Sequence, residues 1–254
     1  MALIRSEAAG DGVRLVTLTD PDKRNAMGPD MAAELVEVVA DVAADAGVRA
    51  LVVTGEGSAF CAGADLPALF GDPGRDVSDT HELLQGYYRA FLAVRDLAVP
   101  TVAAVNGPAV GAGLNLALSC DVRVAGPRAT FGATFARIGL HPGGGCTWFL
   151  VEALGAARAL RTLLLGETID VDQAVAWGLA DGPEDDALAS ARELAGRFAA
   201  VEGPLARRIK RAVRLAVETR DLGAVLEYES WAQAASAGSP RLREWVARFE
   251  RDRS

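Results

Sequence analysis

Two segments of this 254-residue chain put small residues where backbone groups could do chemistry: Phe60-Cys61-Ala62-Gly63-Ala64-Asp65-Leu66 and Asn106-Gly107-Pro108-Ala109-Val110-Gly111-Ala112-Gly113-Leu114-Asn115. Each follows a short apolar run, Ala50-Leu51-Val52-Val53 or Val102-Ala103-Ala104-Val105, that reads as a buried strand. Small residues let the backbone approach a ligand closely, and a helix start offers free N–H groups at the positive end of its dipole. One N–H from each segment, aimed at a single carbonyl oxygen, would make an oxyanion hole. Tight strand-to-helix turns would use the same residues, and the spacing alone leaves both readings open.

Other phosphate and nucleophile motifs are missing. No G-x-x-x-x-G-K-[S/T] run occurs, which excludes a P-loop at the motif level. Gly111 and Gly113 begin a dinucleotide-like spacing, but Leu116 stands where its third glycine belongs. G-x-S-x-G, the nucleophile elbow, is absent as well. The three cysteines, Cys61, Cys120 and Cys146, lack metal-ligand spacing and read as reduced thiols of a cytosolic protein. Cys61 and Cys120 look like small buried hydrophobes, and Cys146 and Trp148 like core at a helix start. No metal site is expected.

The elements that must hold these segments alternate strand and helix. Leu15 to Leu18 predicts a strand ending at the turn Asp20-Pro21-Asp22. Met31, Leu35, Val38, Val39 and Val42 predict a helix after Pro29, and Leu83, Leu84, Tyr87, Phe91 and Val94 another over 82–97. Strand 102–105, a glycine turn, helix 114–119 and strand 122–124 follow. From Gly144 onward the chain reads as mostly helical, with Asp170 capping a helix that stops at Gly178. Gly203-Pro204 opens a helix bearing Arg207, Arg208, Lys210, Arg211 and Arg214, which reads as a solvated face, and Ser239-Pro240 opens the last one. The fold class is α/β with a C-terminal helical region, divided as a core over 1–195 and helices over 196–254.

The chain is long enough for one full-sized domain with a real core. A net charge of -8 argues against a nucleic-acid surface. The start, Met1-Ala2-Leu3-Ile4-Arg5-Ser6, has no apolar h-region and predicts no signal peptide. No charge occurs from Leu97 to Cys120, but Pro100, Asn106, Gly107, Pro108, Gly111, Gly113 and Asn115 punctuate that stretch as a strand–turn–helix rather than a membrane span.

Taken in order, Pro21-Asp22-Lys23-Arg24-Asn25-Ala26, Ala59 to Leu66, Pro100 to Asp121, and Gly166-Glu167-Thr168-Ile169-Asp170 with Ala176-Trp177-Gly178-Leu179 resemble the crotonase (enoyl-CoA hydratase/isomerase) superfamily. The resemblance spans about Val13 to Ala180 and implies a spiral of repeated ββα units with a C-terminal helical region, assembled as a homotrimer or homohexamer. It implies an acyl-CoA thioester as ligand, coenzyme A entering as part of the substrate, no permanently bound cofactor, no membrane partner and a cytoplasmic location. By position, the N–H groups of Ala64 and Ala112 fall at its oxyanion hole. Lys23, Arg24 and Ala26 fall where the family holds coenzyme A, and Ala62, Asp65 and Leu66 beside them. Asp65 reads equally as an N-cap ahead of Leu66.

The pattern breaks where the family's hydratases carry two glutamates: Asn115 and Phe135 stand there. Asparagine can bond a water but cannot take its proton, and phenylalanine can do neither. His141, on the following loop, is the candidate acid/base, with loop bracing as its plain alternative. His81, placed near the acyl pocket by the resemblance, and Arg137, which could hold a substrate carboxylate, read more simply as surface residues. Two readings follow: an enoyl-CoA hydratase/isomerase-like enzyme with reassigned proton transfer, or a non-catalytic acyl-CoA-binding or regulatory homologue. A third, an unrelated α/β protein matching by chance, is outweighed by the combined motifs.

Overall fold

The computed structural model describes residues 2–251; Met1 and 252–254, and with them the first residue of the expected leader-free start, lie outside the described residues. The chain forms two compact units, one ending at Ala200 and one beginning at Val201. In the first unit each turn of chain adds a strand to a large sheet, then a strand or bridge to a small one, then a helix.

Strands β1 (Ile4–Ala8) and β2 (Val13–Leu18) lead to helix α1 (Pro29–Ala44). Strand β3 (Ala50–Gly55), the single bridge Cys61↔Ala109, α2 (Leu66–Phe70) and α3 (Val77–Asp96) make the next turn. Strands β4 (Thr101–Val105) and β5 (Pro108–Val110) with α4 (Ala112–Ser119) make the third, and β6 (Val122–Ala125), β7 (Thr130–Gly132) and α5 (Cys146–Leu154) the fourth. Helix α6 (Ala156–Leu165), strand β8 (Thr168–Asp170), α7 (Val171–Ala176) and α8 (Ala187–Ala199) close the unit. The large sheet has the order β1-β2-β3-β4-β6, antiparallel only at β1/β2. In the small sheet β7 lies between β5, parallel to it, and antiparallel β8.

Its parallel strands are apolar in both parities because both faces of the large sheet are covered. Val16, Leu18, Leu51, Val53, Ala103 and Val105 belong to the core that includes α1, α3 and α4. Their neighbours Val13, Leu15, Ala50, Val52, Val102 and Ala104 pack with Ala187, Ala191, Ala195 and Ala199 of α8. Four alanines at four-residue spacing form one stripe on the helix, letting it lie close to the strands.

The helices expected after Pro29 and over 82–97 are present, the latter starting earlier because Asp76 accepts from the Asp79 N–H and caps it. Asp170 caps α7 through the Gln173 N–H. The expectation that the chain is mostly helical beyond Gly144 misses β8. Trp148, expected in the core, is 42% exposed, lying against Phe149 with the Arg95 guanidinium over its ring. Cys61, Cys120 and Cys146 are buried.

The second unit contains α9 (Gly203–Thr219), α10 (Leu222–Ser236) and α11 (Pro240–Arg251), none of which has a buried residue. Leu205, Ile209, Ala212, Val213 and Val225 line an open groove of about 520 Å³ between α9 and α10. Arg207 and Arg211 of the basic cluster are exposed, while Arg208, Lys210 and Arg214 are partly covered. Among the described residues no helix is long and apolar enough to cross a membrane.

Candidate active site

Three loops are laced together by backbone hydrogen bonds. The Cys61 N–H donates to Pro108 O (3.1 Å) and the Val110 N–H to Cys61 O (3.0 Å), joining the two glycine segments. The Ala62 N–H donates to Arg24 O (2.9 Å), the Met27 N–H to Gly63 O (2.7 Å) and the Asp65 N–H to Met27 O (3.0 Å), adding the loop before α1. Glycine is required twice. A side chain at Gly113 would run into Cys61 O, and Gly63 holds a φ of +119° with Val110 O only 3.1 Å from where its Cβ would stand.

Asn25 fastens this junction from beneath. It is fully buried, and its Nδ2 donates to the carbonyls of Glu56 (3.0 Å), Ala59 (2.9 Å) and Phe60 (3.3 Å) while its Oδ1 accepts from the Asp20 N–H (3.0 Å). Asparagine suits both tasks, since it tolerates the left-handed φ of 57° found there and offers two donors and an acceptor. The sequence reading gave Asn25 no such role; the only signal is an amide inside a charged, turn-forming run.

Neither the Ala64 nor the Ala112 N–H has a hydrogen-bond partner among the described residues. Ala112 opens α4, where helix geometry leaves the first N–H groups unpaired. Both alanines line one cavity of about 70 Å³, and Asn115, Phe135 and His141 line it too. The rest of the wall is largely apolar and aromatic, including Phe70, Tyr87, Tyr88, Phe91 and Leu140. Sequence periodicity had placed Tyr87 and Phe91 on the apolar face of α3 without showing that this face borders a cavity.

The polar atoms of the wall are mostly engaged. The Tyr87 hydroxyl donates to Met27 O (3.0 Å), and burial pushes its pKa far above the ordinary phenol value. Burial also raises the Tyr88 pKa, against a hydrogen bond from the Gly144 backbone. His141 Nδ1 lies 2.7 Å from Pro142 O, which can only accept, so Nδ1 carries a proton and Nε2 is the ring nitrogen left for another partner. Asn115 Nδ2 donates to Gly143 O (2.8 Å), whereas its Oδ1 has no partner.

Lys23, Arg24, Ala26, Ala62, Asp65 and Leu66 gather on the neighbouring loops, and none of them lines the cavity. Lys23 Nζ lies 3.7 Å from Asp65 Oδ2, and Asp65 also caps α2 by accepting from the Ala68 N–H (3.2 Å). Asp65 is thus an N-cap whose carboxylate also pairs with Lys23. His81, in the second turn of α3 rather than at its start, and Arg137 are exposed and outside the cavity wall. Among the described residues no cluster of His, Cys, Asp and Glu could hold a metal ion.

This arrangement of two sheets, paired glycine loops and an aromatic-lined cavity is that of a known class. The family model described as enoyl-CoA hydratase/isomerase matches residues 8–251. The chain is 46% identical over 245 residues to the Mycobacterium tuberculosis protein named "Probable enoyl-CoA hydratase EchA14", covering 93% of this chain and 92% of that one. To the 1,2-epoxyphenylacetyl-CoA isomerase of Escherichia coli it is 35% identical over 246 residues, covering 96% and 94%. The crystal structure of an enoyl-CoA hydratase from Polaromonas superposes with a TM-score of 0.89 at 31% identity, covering 98% and 97%. The chain belongs to the enoyl-CoA hydratase/isomerase, or crotonase, family.

Proposed function

We propose that the protein binds an acyl-CoA thioester and polarises its carbonyl in an oxyanion hole formed by the Ala64 and Ala112 N–H groups. One observation carries this reading: two unpartnered N–H groups, on loops tied to each other, border the same small apolar cavity. Donors fixed beforehand at the position of developing charge stabilise an enolate without reorganising. The charge on the thioester oxygen acidifies the α-carbon, and a proton then has to leave or arrive there. His141 Nε2 is the candidate acceptor, because the Nδ1 contact with Pro142 leaves it free. Lys23 and Arg24 supply the cations for coenzyme A phosphates, with Ala26, Ala62, Asp65 and Leu66 shaping the same loop surface.

Hydration is expected to be weak. Asn115 and Phe135 occupy the cavity wall where the family's hydratases carry carboxylates, so water has no strong base beside it. That observation also favours the second reading, a non-catalytic acyl-CoA-binding or regulatory homologue. A panel of saturated, 2-enoyl and 3-enoyl CoA thioesters, scored for both binding and turnover, separates them. Binding with turnover supports the enzyme, binding without turnover the regulatory homologue, and the absence of binding rejects both.

The acyl-CoA work belongs to the 1–195 core and assembly to the 196–254 helices, as a cytoplasmic homotrimer or homohexamer with no resident cofactor. Large apolar side chains left open on the last three helices support assembly; Trp231 is 71% and Phe249 62% exposed. Light scattering that gives a monomer at micromolar concentration rejects it.

A further inference from the structure

Two rings of the cavity wall, Tyr87 and Tyr88, are held at both ends. Tyr87 is 6% exposed, and its hydroxyl is tied to Met27 O within the core. Tyr88 is only partly covered, so its ring has the cavity on one side and the protein surface on the other. It starts from α3, and its hydroxyl accepts from the Gly144 backbone N–H on the segment leading to α5. That segment comes close only because it lacks side chains: a Cβ on Gly143 would run into the Tyr88 hydroxyl, and one on Gly144 into the Phe91 ring. Phe91 braces the bridge, its ring centroid 6.0 Å from that of Tyr88. Phe70, Phe135 and Leu140 border the cavity with no polar group to pin them and can change rotamer. Tyr88 cannot turn aside without breaking its bond to Gly144.

Position and size say what this bridge closes. Gly143 O accepts from the Asn115 side chain, which stands on α4 three residues beyond Ala112, about 4.5 Å along the helix axis. The Tyr88 bridge therefore meets the cavity about one helical turn from the Ala112 N–H, the donor proposed for the thioester oxygen. The cavity volume of about 70 Å³ holds about five water-sized bodies at 10–15 Å³ each. A butyryl group, with four carbons and an oxygen, fills that space. An octanoyl group does not fit while the bridge stands.

We propose that Tyr88 determines acyl-chain length: its ring, pinned to Gly144, closes the cavity and restricts the protein to acyl-CoA thioesters of about four carbons or fewer. Forcing further methylenes against a pinned ring displaces packed groups and costs affinity. In an open-ended cavity each methylene that leaves water would instead add to it. The inference rests on the acyl-CoA reading above and adds the length of the acyl group to it.

The test is titration calorimetry of the full-length protein with acetyl-, butyryl-, hexanoyl- and octanoyl-CoA. Wild type should bind butyryl-CoA about tenfold more tightly than octanoyl-CoA. Tyr88→Ala should close that gap or reverse it, with its fold checked by thermal melting. Equal affinities of the wild type for butyryl- and octanoyl-CoA overturn this inference while leaving acyl-CoA binding intact, and need no variant to fold. A gap that survives undiminished in folded Tyr88→Ala overturns it too. Should that variant not fold, Tyr88→Phe takes its place, since it keeps the ring and loses the bond to Gly144. The gap should then narrow by about threefold, and an unchanged gap overturns the inference. If no thioester binds, the acyl-CoA reading itself fails and takes this inference with it.

Discussion

The glycine loops before α2 and α4 and the segment from Phe131 to Gly145 border the same cavity, but they carry function in different currencies. In the first region the groups on offer are backbone N–H groups, held by a lattice of main-chain bonds and by the Asn25 amide. Side chains there need only be small, so alanine at 64 and 112 leaves the donors in place. In the second region the wall is made of side chains, Phe135, Leu140 and His141. A change of residue type there changes the chemistry outright. Carbonyl polarisation can therefore persist in a chain whose proton transfer has been rebuilt or lost.

The most direct way to break this contrast is to restore carboxylates to the side-chain region. In Asn115→Glu with Phe135→Glu, hydration of crotonyl-CoA should rise by about 10²-fold or more over a low wild-type rate, since each acid–base group typically contributes about 10²–10⁴-fold. Burying carboxylates against Phe91 and Tyr87 is costly, so circular dichroism must show the variant folded. A wild type that already hydrates at an ordinary rate removes the contrast. His141→Ala then decides whether that histidine moves the proton, by a loss of turnover with thioester affinity retained.

Attacking the backbone region calls for Asn25→Ala. The change strands the carbonyls of Glu56, Ala59 and Phe60, which Nδ2 satisfies, and places a less tolerant residue at positive φ. Urea denaturation should show a loss of about 3 kcal/mol, the cost of leaving two or more buried acceptors unpaired. Thioester affinity should fall as well in whatever fraction remains folded. A variant as stable as wild type would show that the lattice does not depend on this amide.

Alkali should act on the same lattice through Cys61, and on the far wall through Cys146. Burial pushes Cys61 from 9.0 up to about 11 and Cys146 up to about 12. Above pH 9 the unfolded chain gives up these protons while the folded chain keeps them, so unfolding becomes easier as pH rises. The stability is complete below pH 9 and is lost through pH 11–12, at about 1.4 kcal/mol per pH unit per thiol. Melting from pH 8 to 10, below the range where the buried phenols of Tyr87 and Tyr88 add to it, should show this slope, and Cys146→Ala should flatten it by about half. An unchanged slope would show that Cys146 is not the group titrating.

How much of this was legible in sequence follows the same division. Long periodic elements such as α1 and α3 declare themselves by spacing, and glycine and alanine after an apolar run mark where N–H groups come free. Strands β5, β7 and β8 do not, because three residues cannot display an alternation. β1 hides for another reason: only Ile4 of its five residues is buried, as suits an edge strand. Asn25 was illegible because the carbonyls its Nδ2 meets lie 31 to 35 residues away. Asn115 could be found by position, but its unpaired acceptor depends on where Gly143 arrives. Trp148 misled because hydrophobicity speaks for burial, not for the cation that covers an exposed ring.

The smallest expected effect lies at the loop surface, where function would rest on exposed charge rather than on either kind of wall. Lys23→Ala with Arg24→Ala should weaken coenzyme A binding by about tenfold at low salt, less than a buried phosphate site would lose. Lys23 has a side chain 64% exposed and is held by Asp65 at 3.7 Å, so its field is partly neutralised and well screened. The loss should therefore shrink as ionic strength rises and the Debye length falls from about 10 Å at 0.1 M salt to 3 Å at 1 M. Asp65→Asn sharpens the point: the amide oxygen can still cap α2, while removal of the anion frees Lys23 and lifts its repulsion of phosphate. Affinity should hold or rise slightly in that variant, and fall only if Asp65 orients Lys23 toward the ligand. A double variant with unchanged affinity at low salt would take both cations out of the site and leave the bound thioester anchored by the oxyanion hole and the cavity alone.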